Sequence, residues 1–306
     1  MTTPIILDCD PGHDDAIAIL LALASPEVEL VAITTVSGNQ TLDKTTNNAL
    51  RVLEFAGRSD IPVYAGADAP FIRQRDVAAH VHGESGLDGP DLPQPTKAAQ
   101  EQHAVEYLAD VYRGESKPVL VATGPLTNVG LLFATHPDAR PDRIVLMGGS
   151  IGEGNTTAAA EFNIWADPEA ARRVFESGLD VTMIGLDVTH EALLTSAWAD
   201  RFREAGRVGT FVADLVEFFK QYHRRTYGWD GAPIHDAVAV AQVLRPGLVA
   251  TERMNVEVEL ESELTRGRTV ADRWHRTDRE PNADVGVGID ADAFLNLLLE
   301  RVSTLG

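Results

Sequence analysis

The sequence predicts an α/β protein whose parallel β-sheet is covered by helices on both faces. Apolar runs of strand length, such as residues 4–9, alternate with runs of helical spacing, such as residues 14–25. This alternation is typical of a parallel sheet with helices on both sides. No internal repeat and no linker-like stretch interrupts the chain, which favours one domain spanning residues 1–306.

The first part of the chain contains three expected strands and two expected helices. Strands are predicted in residues 4–9, 28–39 and 61–66, and helices in residues 14–25 and 41–57. Apolar residues recur at helical spacing in the first helix, and a glycine ends the second. These elements give the first β-α-β-α-β part of the predicted sheet.

Residues 65–96 show no clear hydrophobic period and are rich in Gly, Pro, Asp and His. We expect a long ordered loop of the kind that often carries function. The alternation then resumes, with helices predicted at 98–114, 125–137, 167–178 and 290–302 and strands at 118–124, 143–150 and 180–189. Two segments with period two, 254–262 and 268–274, predict a hairpin at the sheet edge or an antiparallel addition.

Composition and charge limit the function classes. The formal net charge of −20 argues against a nucleic-acid surface, which needs clustered Lys and Arg, and favours solubility as the role of the acidity. The single cysteine, Cys9, excludes an intramolecular disulfide and is typical of a reducing compartment. No basic segment precedes the first apolar run, and charge interrupts that run. We therefore expect neither a signal peptide nor a membrane span, and a soluble cytoplasmic protein.

Polar residues gather where the predicted strands end, which is where open α/β sheets bind ligands. Four carboxylates lie around the first Pro-Gly turn: Asp8, Asp10, Asp14 and Asp15. Later strand ends carry Ser37 to Asn39, Thr123 to Pro125, Gly148 and Gly149, and Asp187 and Thr189. His235 and Asp236 open an apolar helix much as Asp14 and Asp15 open the first one. The sequence thus predicts a polar site at the carboxyl edge of the sheet.

The carboxylates of the first turn need a shared proton or a cation to offset their mutual repulsion. Two carboxylates about 4 Å apart repel by about 4 kcal/mol at an effective dielectric of about 20. A helix N-terminus stabilises one carboxylate by only about 0.3–1 kcal/mol. A shared proton or a cation is therefore required, and oxygen ligands select Ca²⁺ or Mg²⁺, whereas one Cys and few His argue against zinc. The simpler alternative is that Asp14 caps the helix while the other carboxylates face water.

We expect metal-assisted hydrolysis, because the first strand is not followed by a motif that supplies a nucleophile. After the first strand the sequence has no G-x-S-x-G elbow, no Walker A motif and no G-x-G-x-x-G fingerprint. A cation lowers the pKa of a bound water, and a carboxylate can accept its proton. A competing interpretation is a D-x-D phosphohydrolase with Asp8 as nucleophile and Asp10 as acid. That enzyme would need a positioned lysine for the phosphate, and no lysine lies in a strand-end motif.

Seven motifs in order resemble the nucleoside hydrolase family, the calcium-dependent N-ribohydrolases. They are DCDPGHDDAIAIL at the N-terminus, TTVSGN (34–39), HGESGLDGP (82–90), TGPLTN (123–128), MGG (147–149), GNTTAAAEFNIWADPEAA (154–171) and HDAVAV (235–240). The resemblance covers nearly the whole chain. It implies a Rossmann-like, mostly parallel mixed sheet, one Ca²⁺ per subunit and a homodimer or homotetramer. The implied activity is hydrolysis of a ribonucleoside to ribose and a free base.

The resemblance also implies roles for individual residues. Asp10, Asp15 and Asp236 would ligate Ca²⁺ through carboxylates and Thr123 through its main-chain carbonyl, with Asp10 also the general base for the calcium-bound water. The ribose contacts would be Asp14, Asn39, Asn155, Glu161 and Asn163. His82 and His235 would lie on the base side, with His235 assisting the leaving base, and Met147 and Phe162 would line the pocket. Base preference stays open between inosine, uridine, cytidine and a modified nucleoside.

Some residues of these motifs receive no firm role. His13 is expected to touch solvent or a neighbouring subunit, and Asp8 is expected to have a structural role, holding neighbouring loop amides. Tyr222, His223 and Tyr227 are candidates for base contact or for a mobile flap. A second rival interpretation is a non-catalytic nucleoside-binding protein on the same scaffold. Such a protein would have lost a calcium ligand or the base, but Asp10, Asp15 and Asp236 are all present.

Overall fold

We describe a computed structural model of the chain, which covers residues 2–305. Its strands are β1 Thr3–Cys9, β2 Val28–Thr35, β3 Val63–Ala65, β4 Val119–Ala122, β5 Arg143–Met147, β6 Asp180–Ile184, β7 Leu193–Thr195, β8 Gly231–Pro233, β9 Val249–Met254, β10 Val256–Val258, β11 Thr269–Ala271 and β12 Ala283–Ile289. Its helices are α1 His13–Ala24, α2 Leu42–Phe55, α3 Ala79–His82, α4 Ala104–Arg113, α5 Thr127–Thr135, α6 Phe162–Ala166, α7 Pro168–Phe175, α8 Leu186–Thr189, α9 Ser196–Glu204, α10 Gly206–Tyr227, α11 His235–Leu244 and α12 Ala291–Val302, followed by a 3₁₀ turn at Ser303–Leu305.

A mixed, mostly parallel sheet forms the centre of the molecule. Within residues 2–305 it has eight strands in the order β3-β2-β1-β4-β5-β6-β12-β9, all parallel except β9, which runs antiparallel to β12. The predicted α/β class with a mostly parallel mixed sheet is therefore confirmed. In the sheet, β2 and β3 lie on one side of β1, and β4 lies on its other side. The carboxyl ends of β1 and β4 thus flank the point where ligands bind in open sheets.

The core lies in two apolar layers, one on each face of the sheet. On β1, Ile5 and Leu7 face one layer and Ile6 faces the other, because side chains alternate along a strand. The first layer includes α1, α11 and α12, whose buried residues are largely aliphatic. The second includes α4, α5 and α7. Both faces are covered, as the alternation of elements predicts.

The later part of the chain departs from the predicted boundaries. The two period-two segments form the predicted hairpin, because β10 pairs antiparallel with β11, but this pair is a separate two-stranded sheet. The antiparallel edge strand of the main sheet is β9, which ends where the first of these segments begins. The side-chain amide of Asn282 makes two hydrogen bonds with the backbone of Val256. Its oxygen accepts the Val256 N–H at 2.7 Å, and its NH₂ group donates to the Val256 carbonyl at 2.9 Å. That amide occupies the place of a strand partner and separates β10 from the main sheet.

Three further boundaries differ. The predicted helix at 98–114 begins only at Ala104, where the His103 side chain accepts the Val105 N–H at the helix N-terminus. The predicted strand at 180–189 ends at Ile184 and continues as the short helix α8. The antiparallel pair β7–β8 was not anticipated. No helix among residues 2–305 is both long and apolar enough to cross a membrane.

Candidate active site

A cavity of about 380 Å³ opens at the carboxyl edge of the sheet. This volume is within the usual range for a site that encloses a small organic ligand. It is lined by the following predicted residues: Asp14, Asn39, His82, Thr123, Met147, Asn155, Glu161, Phe162, Asn163, His235 and Asp236. The remaining predicted residues, Asp10 and Asp15, are fully buried beside them. The structure therefore brings segments far apart in the sequence to one place.

Three carboxylates form a compact cluster at this site. Asp14, Asp15 and Asp236 each offer an oxygen, and these oxygens lie within 4.8 Å of one another. Asp14 and Asp15 are in the first turn of α1, and Asp236 is in the first turn of α11. The two helices pack against each other with their N-termini at the site. A group of oxygen donors at this spacing could hold a metal ion.

Asp10 lies next to this cluster, just beyond the end of β1. Its Oδ2 accepts the backbone N–H of Asn39 at 2.6 Å, and its carbonyl accepts the Asn39 side-chain amide at 3.2 Å. Its Oδ1 is buried and has no hydrogen-bond partner in residues 2–305. A Cβ added at Gly38 would lie 2.1 Å from Oδ2, and one at Gly124 would lie 2.7 Å from Oδ1. Glycine at both positions is what allows the backbone to approach the carboxylate this closely.

The carboxylates repel one another in the absence of a cation. Burial, followed by the charge of Asp15, raises the pKa values of Asp10 and Asp14. Burial also raises the pKa of Asp15, and burial with the charge of Asp14 raises that of Asp236. Keeping several of these groups ionised therefore requires a positive charge between them.

The oxygen atoms available at the cluster match a hard cation. Asp15 is held by the Thr123 hydroxyl at 2.9 Å and by the Gly12 N–H and the Asn39 amide, each at 3.1 Å. By contrast, Oδ1 of Asp14, like Oδ1 of Asp10, is buried without a partner in the described part of the chain. Unpaired buried carboxylate oxygens are costly unless a ligand binds them. The cluster thus has both the donor type and the free oxygens that a Ca²⁺ or Mg²⁺ site needs.

The main-chain carbonyl of Thr123 lies at the same edge of the sheet. It accepts the side-chain amide of Asn163 at 2.7 Å, and the same amide also donates to the Met147 carbonyl at 3.0 Å. A carbonyl oxygen has two lone pairs, so the Thr123 oxygen can still bind a cation. Asn163 therefore connects α6 to the ends of β4 and β5 across the cavity.

Glu161 and Asn155 also line the cavity. Glu161 is the N-cap of α6, and its carboxylate accepts N–H groups from Gly149 at 2.8 Å, Asn163 at 2.9 Å and Ile164 at 3.2 Å. Burial nevertheless raises its pKa to about 7. The Asn155 side-chain oxygen accepts the Phe162 N–H at 2.9 Å. These bonds fix carboxylate and amide groups that could bind several hydroxyl groups of a ligand.

Imidazole and aromatic rings form another wall of the cavity. His82 and His235 line the cavity, and burial lowers the pKa of each well below the usual value. His235 Nδ1 lies 2.7 Å from the Thr189 hydroxyl. Tyr222, His223 and Tyr227, named as candidates from the sequence, also line the cavity. A planar group could therefore be enclosed on this side.

Several lining residues were not anticipated from the sequence: Asp76, Val77, Ala78, His80, Val81, Thr156, Trp165, His190 and Phe219. His80 stands two residues before His82 in a segment already expected to carry function, which was a usable signal. His190 and Phe219 occur in helical segments of ordinary composition, where neither spacing nor a motif marks them. Their part in the cavity depends on how α8 and α10 pack.

Two residues of the first turn have surroundings that differ from those expected. His13 touches neither solvent nor a surface, because it is fully buried between His82 and the rings of Phe218 and Phe219. The expectation of solvent contact is therefore wrong. Asp8 is also fully buried, and burial raises its pKa to about 6. It holds side chains of neighbouring elements, not loop amides.

The chain is similar to known proteins over its full length. The family model described as inosine-uridine preferring nucleoside hydrolase matches residues 5–296. The chain is 51% identical over 308 residues to the pyrimidine-specific ribonucleoside hydrolase RihA of Klebsiella pneumoniae strain 342, covering 99% of both chains. It is 52% identical over 311 residues to RihA of Salmonella arizonae, covering 100% of both.

Solved structures show the same fold. A purine-preferring ribonucleoside hydrolase from Gardnerella vaginalis superposes with a TM-score of 0.92 at 37% identity, covering 99% of this chain and 98% of that one. The plant nucleoside hydrolase PpNRh1 superposes with a TM-score of 0.90 at 33% identity, covering 99% of both chains. The similarity of fold therefore extends over nearly the whole chain.

Proposed function

The chain belongs to the inosine-uridine preferring nucleoside hydrolase family, which hydrolyses nucleosides to ribose and base, and we propose that its preferred substrates are the pyrimidine ribonucleosides uridine and cytidine. The observation that carries this preference is 51–52% identity over the full length to relatives named pyrimidine-specific. The purine-preferring structure is more distant, at 37% identity. The family match over residues 5–296 supports one catalytic domain for residues 1–306.

We propose that one Ca²⁺ binds each chain. Its ligands would be the carboxylates of Asp10, Asp15 and Asp236 and the main-chain carbonyl of Thr123, with Asp14 close enough to contribute. The bound cation would neutralise the clustered carboxylates and make a water molecule easier to deprotonate. The unpaired Oδ1 atoms of Asp10 and Asp14 support this assignment, because each is buried and free to bind.

Asp10 is the proposed general base. Its Oδ2 accepts the Asn39 N–H, and Oδ1, which has two lone pairs, can contact the cation with one and accept a proton from the attacking water with the other. The resulting hydroxide forms the new C–O bond at the anomeric carbon as the C–N bond breaks. Because the ribose carries positive charge at that stage, the surrounding carboxylates stabilise it electrostatically.

Polar residues that line the cavity would orient the ribose. Asp14 and Asn39 lie near Asp10, and Asn155, Glu161 and Asn163 line the same cavity around the first turn of α6. The backbone N–H groups that bind Glu161 hold its carboxylate in place for a hydroxyl donor. Met147 and Phe162 provide apolar contact with the sugar or the base.

His82 and His235 are the proposed contacts of the base. Burial keeps His235 neutral at neutral pH, so its role is to donate a hydrogen bond to the departing base, not to carry a full charge. We propose that the Thr189 hydroxyl donates to Nδ1, 2.7 Å away, which places the proton of His235 on Nε2. Tyr222, His223 and Tyr227 would pack around the base on the same side.

The two rival functions receive less support. A phosphohydrolase needs cationic groups for the phosphate, and the cavity lining contains no lysine or arginine among residues 2–305. A non-catalytic nucleoside-binding protein would lack the base or a metal ligand. Asp10, Asp15 and Asp236 are all present and buried at the site.

We also propose a cytoplasmic homodimer or homotetramer. Reduced, buried Cys9 is compatible with a reducing compartment. Large apolar side chains are exposed at Ile72, Leu264, Val270 and Trp274, and an interface between copies would cover such residues. Light scattering of the purified chain measures the assembly directly, and a monomer at working concentration would contradict the proposed state.

The substrate assignment is tested by the release of reducing sugar from uridine, cytidine, inosine, adenosine and guanosine. We expect kcat/KM to be highest for uridine or cytidine. A higher kcat/KM for any purine nucleoside would contradict the pyrimidine preference but leave the nucleosidase assignment intact. No turnover of any of the five would contradict both.

A further inference from the structure

His13 occupies a position in which one ring nitrogen has an unambiguous partner. Its Nε2 lies 2.7 Å from the main-chain carbonyl oxygen of Asp88. A carbonyl oxygen can only accept, so His13 Nε2 must carry a proton. The carboxylate of Asp88 does not contact His13, because it accepts from Ser85 and from the Glu84 N–H.

His13 is neutral in this environment. It is fully buried and stacked against Phe218 and Phe219, at ring-centroid distances of 5.2 and 5.3 Å. No carboxylate lies within ion-pair distance of its ring in residues 2–305, so an imidazolium here would be a buried charge without a partner, which is costly. A neutral imidazole carries one proton, so with Nε2 protonated the Nδ1 atom of His13 is an acceptor.

The acceptor on His13 determines the protonation of His82. The two Nδ1 atoms lie 3.2 Å apart, and a hydrogen bond between them needs a proton from His82. The His13 backbone N–H also approaches His82 Nδ1, at 3.4 Å, and this longer contact is the weaker of the two. Neutral His82 therefore has its proton on Nδ1 and a free lone pair on Nε2.

The free nitrogen of His82 is the one left for the cavity. His82 lines the cavity, and its Nε2 has no hydrogen-bond partner within residues 2–305. The other edge of its ring is enclosed, because a Cβ at Gly12 would lie 2.5 Å from Nδ1 and 2.8 Å from Cε1. A ring fixed in this way presents an acceptor to the ligand, not a donor.

We propose that His13 is a positioning residue that holds His82 in the Nδ1–H tautomer, so that His82 Nε2 accepts a hydrogen bond from the nucleoside. The inference rests on the proposed function for the identity of the ligand. The donor is a base N–H, such as N3–H of uracil or the amino group of cytosine, or a ribose hydroxyl. These share one chemistry, an N–H or O–H directed at an imidazole lone pair.

The tautomer is measured directly by long-range ¹H–¹⁵N NMR of the histidine rings in calcium-loaded protein at neutral pH. The His82 signals are assigned by their loss in His82→Gln. We expect the protonated-nitrogen shift at Nδ1 and the lone-pair shift at Nε2. A proton on His82 Nε2 in the unmodified protein would overturn the proposal, whatever any variant does.

Three variants separate the hydrogen bond from the packing around it. His13→Phe keeps a ring between Phe218 and Phe219 but removes the acceptor, so the proton of His82 should move toward Nε2. His13→Gln can accept from His82 and donate to the Asp88 carbonyl, and should retain the Nδ1–H tautomer. Phe218→Leu weakens the stacking but keeps His13, and should retain it as well. An unchanged tautomer in a folded His13→Phe variant would overturn the proposal.

Kinetics then identify the donor on the substrate. Loss of one hydrogen bond predicts that His13→Phe lowers kcat/KM for uridine about two- to tenfold, mainly through KM, with recovery in His13→Gln. If the donor is N3–H, this loss should disappear with 3-methyluridine, and if it is the 5′-hydroxyl, with 5′-deoxyuridine. Unchanged kinetics in His13→Phe would contradict the contact with substrate. Failure of the wild-type protein to hydrolyse uridine would instead contradict the proposed function, while the NMR result for His82 would stand.

Discussion

Oδ1 of Asp8 accepts a hydrogen bond from the side-chain amide of Asn128 at 2.8 Å, which connects β1 to α5 beneath the site. The same oxygen accepts the Thr34 hydroxyl of β2 at 2.6 Å. The Asn128 amide also donates to the Thr35 carbonyl at 3.0 Å and its oxygen accepts the Ala67 N–H at 2.8 Å. Asp8 is thus the centre of a buried network that fixes the strands carrying Asp10 and Asn39.

Removing the amide should destabilise the fold. Asn128→Leu leaves Asp8, the Thr35 carbonyl and the Ala67 N–H without that partner in a buried region. We expect the free energy of unfolding to fall by about 1–3 kcal/mol, measured by urea denaturation of the calcium-loaded protein. Asn296→Leu, at an exposed position of α12, is the matched control and should change stability by less than about 0.5 kcal/mol. Equal effects of the two substitutions would show that the network contributes no stability.

Stability of the chelated protein should depend on pH in the direction set by the carboxylate cluster. Burial and mutual repulsion raise the folded-state pKa values of Asp10, Asp14, Asp15 and Asp236 above those of the unfolded chain. The folded state therefore binds more protons, and its stability falls as pH rises from about 4 through neutrality. Calcium should reverse this trend, since it binds the ionised form.

Thermal unfolding at several pH values, with chelator and with added Ca²⁺, measures this dependence. We expect the difference in Tm between the two conditions to increase with pH. The variant Asp236→Asn, which removes one buried charge, should flatten the pH dependence of the chelated protein. Identical pH profiles with and without Ca²⁺ would contradict a cation site at these carboxylates.

Glu161 should matter for substrate binding. Its two carboxylate oxygens accept three backbone N–H groups, so an amide NH₂ in place of one oxygen would face a donor. We expect Glu161→Gln to lower kcat/KM for uridine by about 10- to 100-fold, because hydrogen bonds to a charged group are lost. Steady-state kinetics provide the measurement. A kcat/KM within twofold of the wild-type value would exclude Glu161 from the site.

Gly38 should tolerate no side chain. A Cβ there would lie 2.1 Å from Asp10 Oδ2, so Gly38→Ala must displace the proposed base. We expect kcat for uridine to fall at least tenfold with a smaller change in Tm. Gly288→Ala is the matched control, because a Cβ at that position meets nothing within 4 Å. Normal kcat in Gly38→Ala would show that the position of Asp10 is not critical.

Much of the fold and of the candidate site could be predicted because the signals are local. The first strand and helix are marked by an apolar run, a Pro-Gly turn and helical spacing, and the structure places them at Thr3–Cys9 and His13–Ala24. Strand ends carry the polar motifs, so Asp10, Thr123 and Gly148 were expected at one edge of the sheet. Roles of individual residues came from the family resemblance and stay predictions.

The remainder could not be predicted, because it depends on contacts between distant segments. The burial of His13 depends on α10, whose Phe218 and Phe219 are about 200 residues away in the sequence. The separation of β10 from the main sheet depends on the Asn282 side chain, which local patterning does not reveal. Tertiary packing decides both, and contacts between distant segments cannot be derived from the local patterns of a single sequence.

The most direct measurement is the rate of ribose release from uridine by Asp10→Asn compared with the wild-type chain, in saturating Ca²⁺, with Ca²⁺ binding followed by calorimetry. The amide oxygen of asparagine can take the place of Oδ2, which accepts the Asn39 N–H, and the NH₂ group in place of Oδ1 cannot accept the proton of the attacking water. We predict that Asp10→Asn still binds Ca²⁺ while kcat falls by about 10²–10⁴-fold, the usual contribution of a general base. Retention of the wild-type kcat in a variant that binds Ca²⁺ would contradict the assignment of Asp10 as the base.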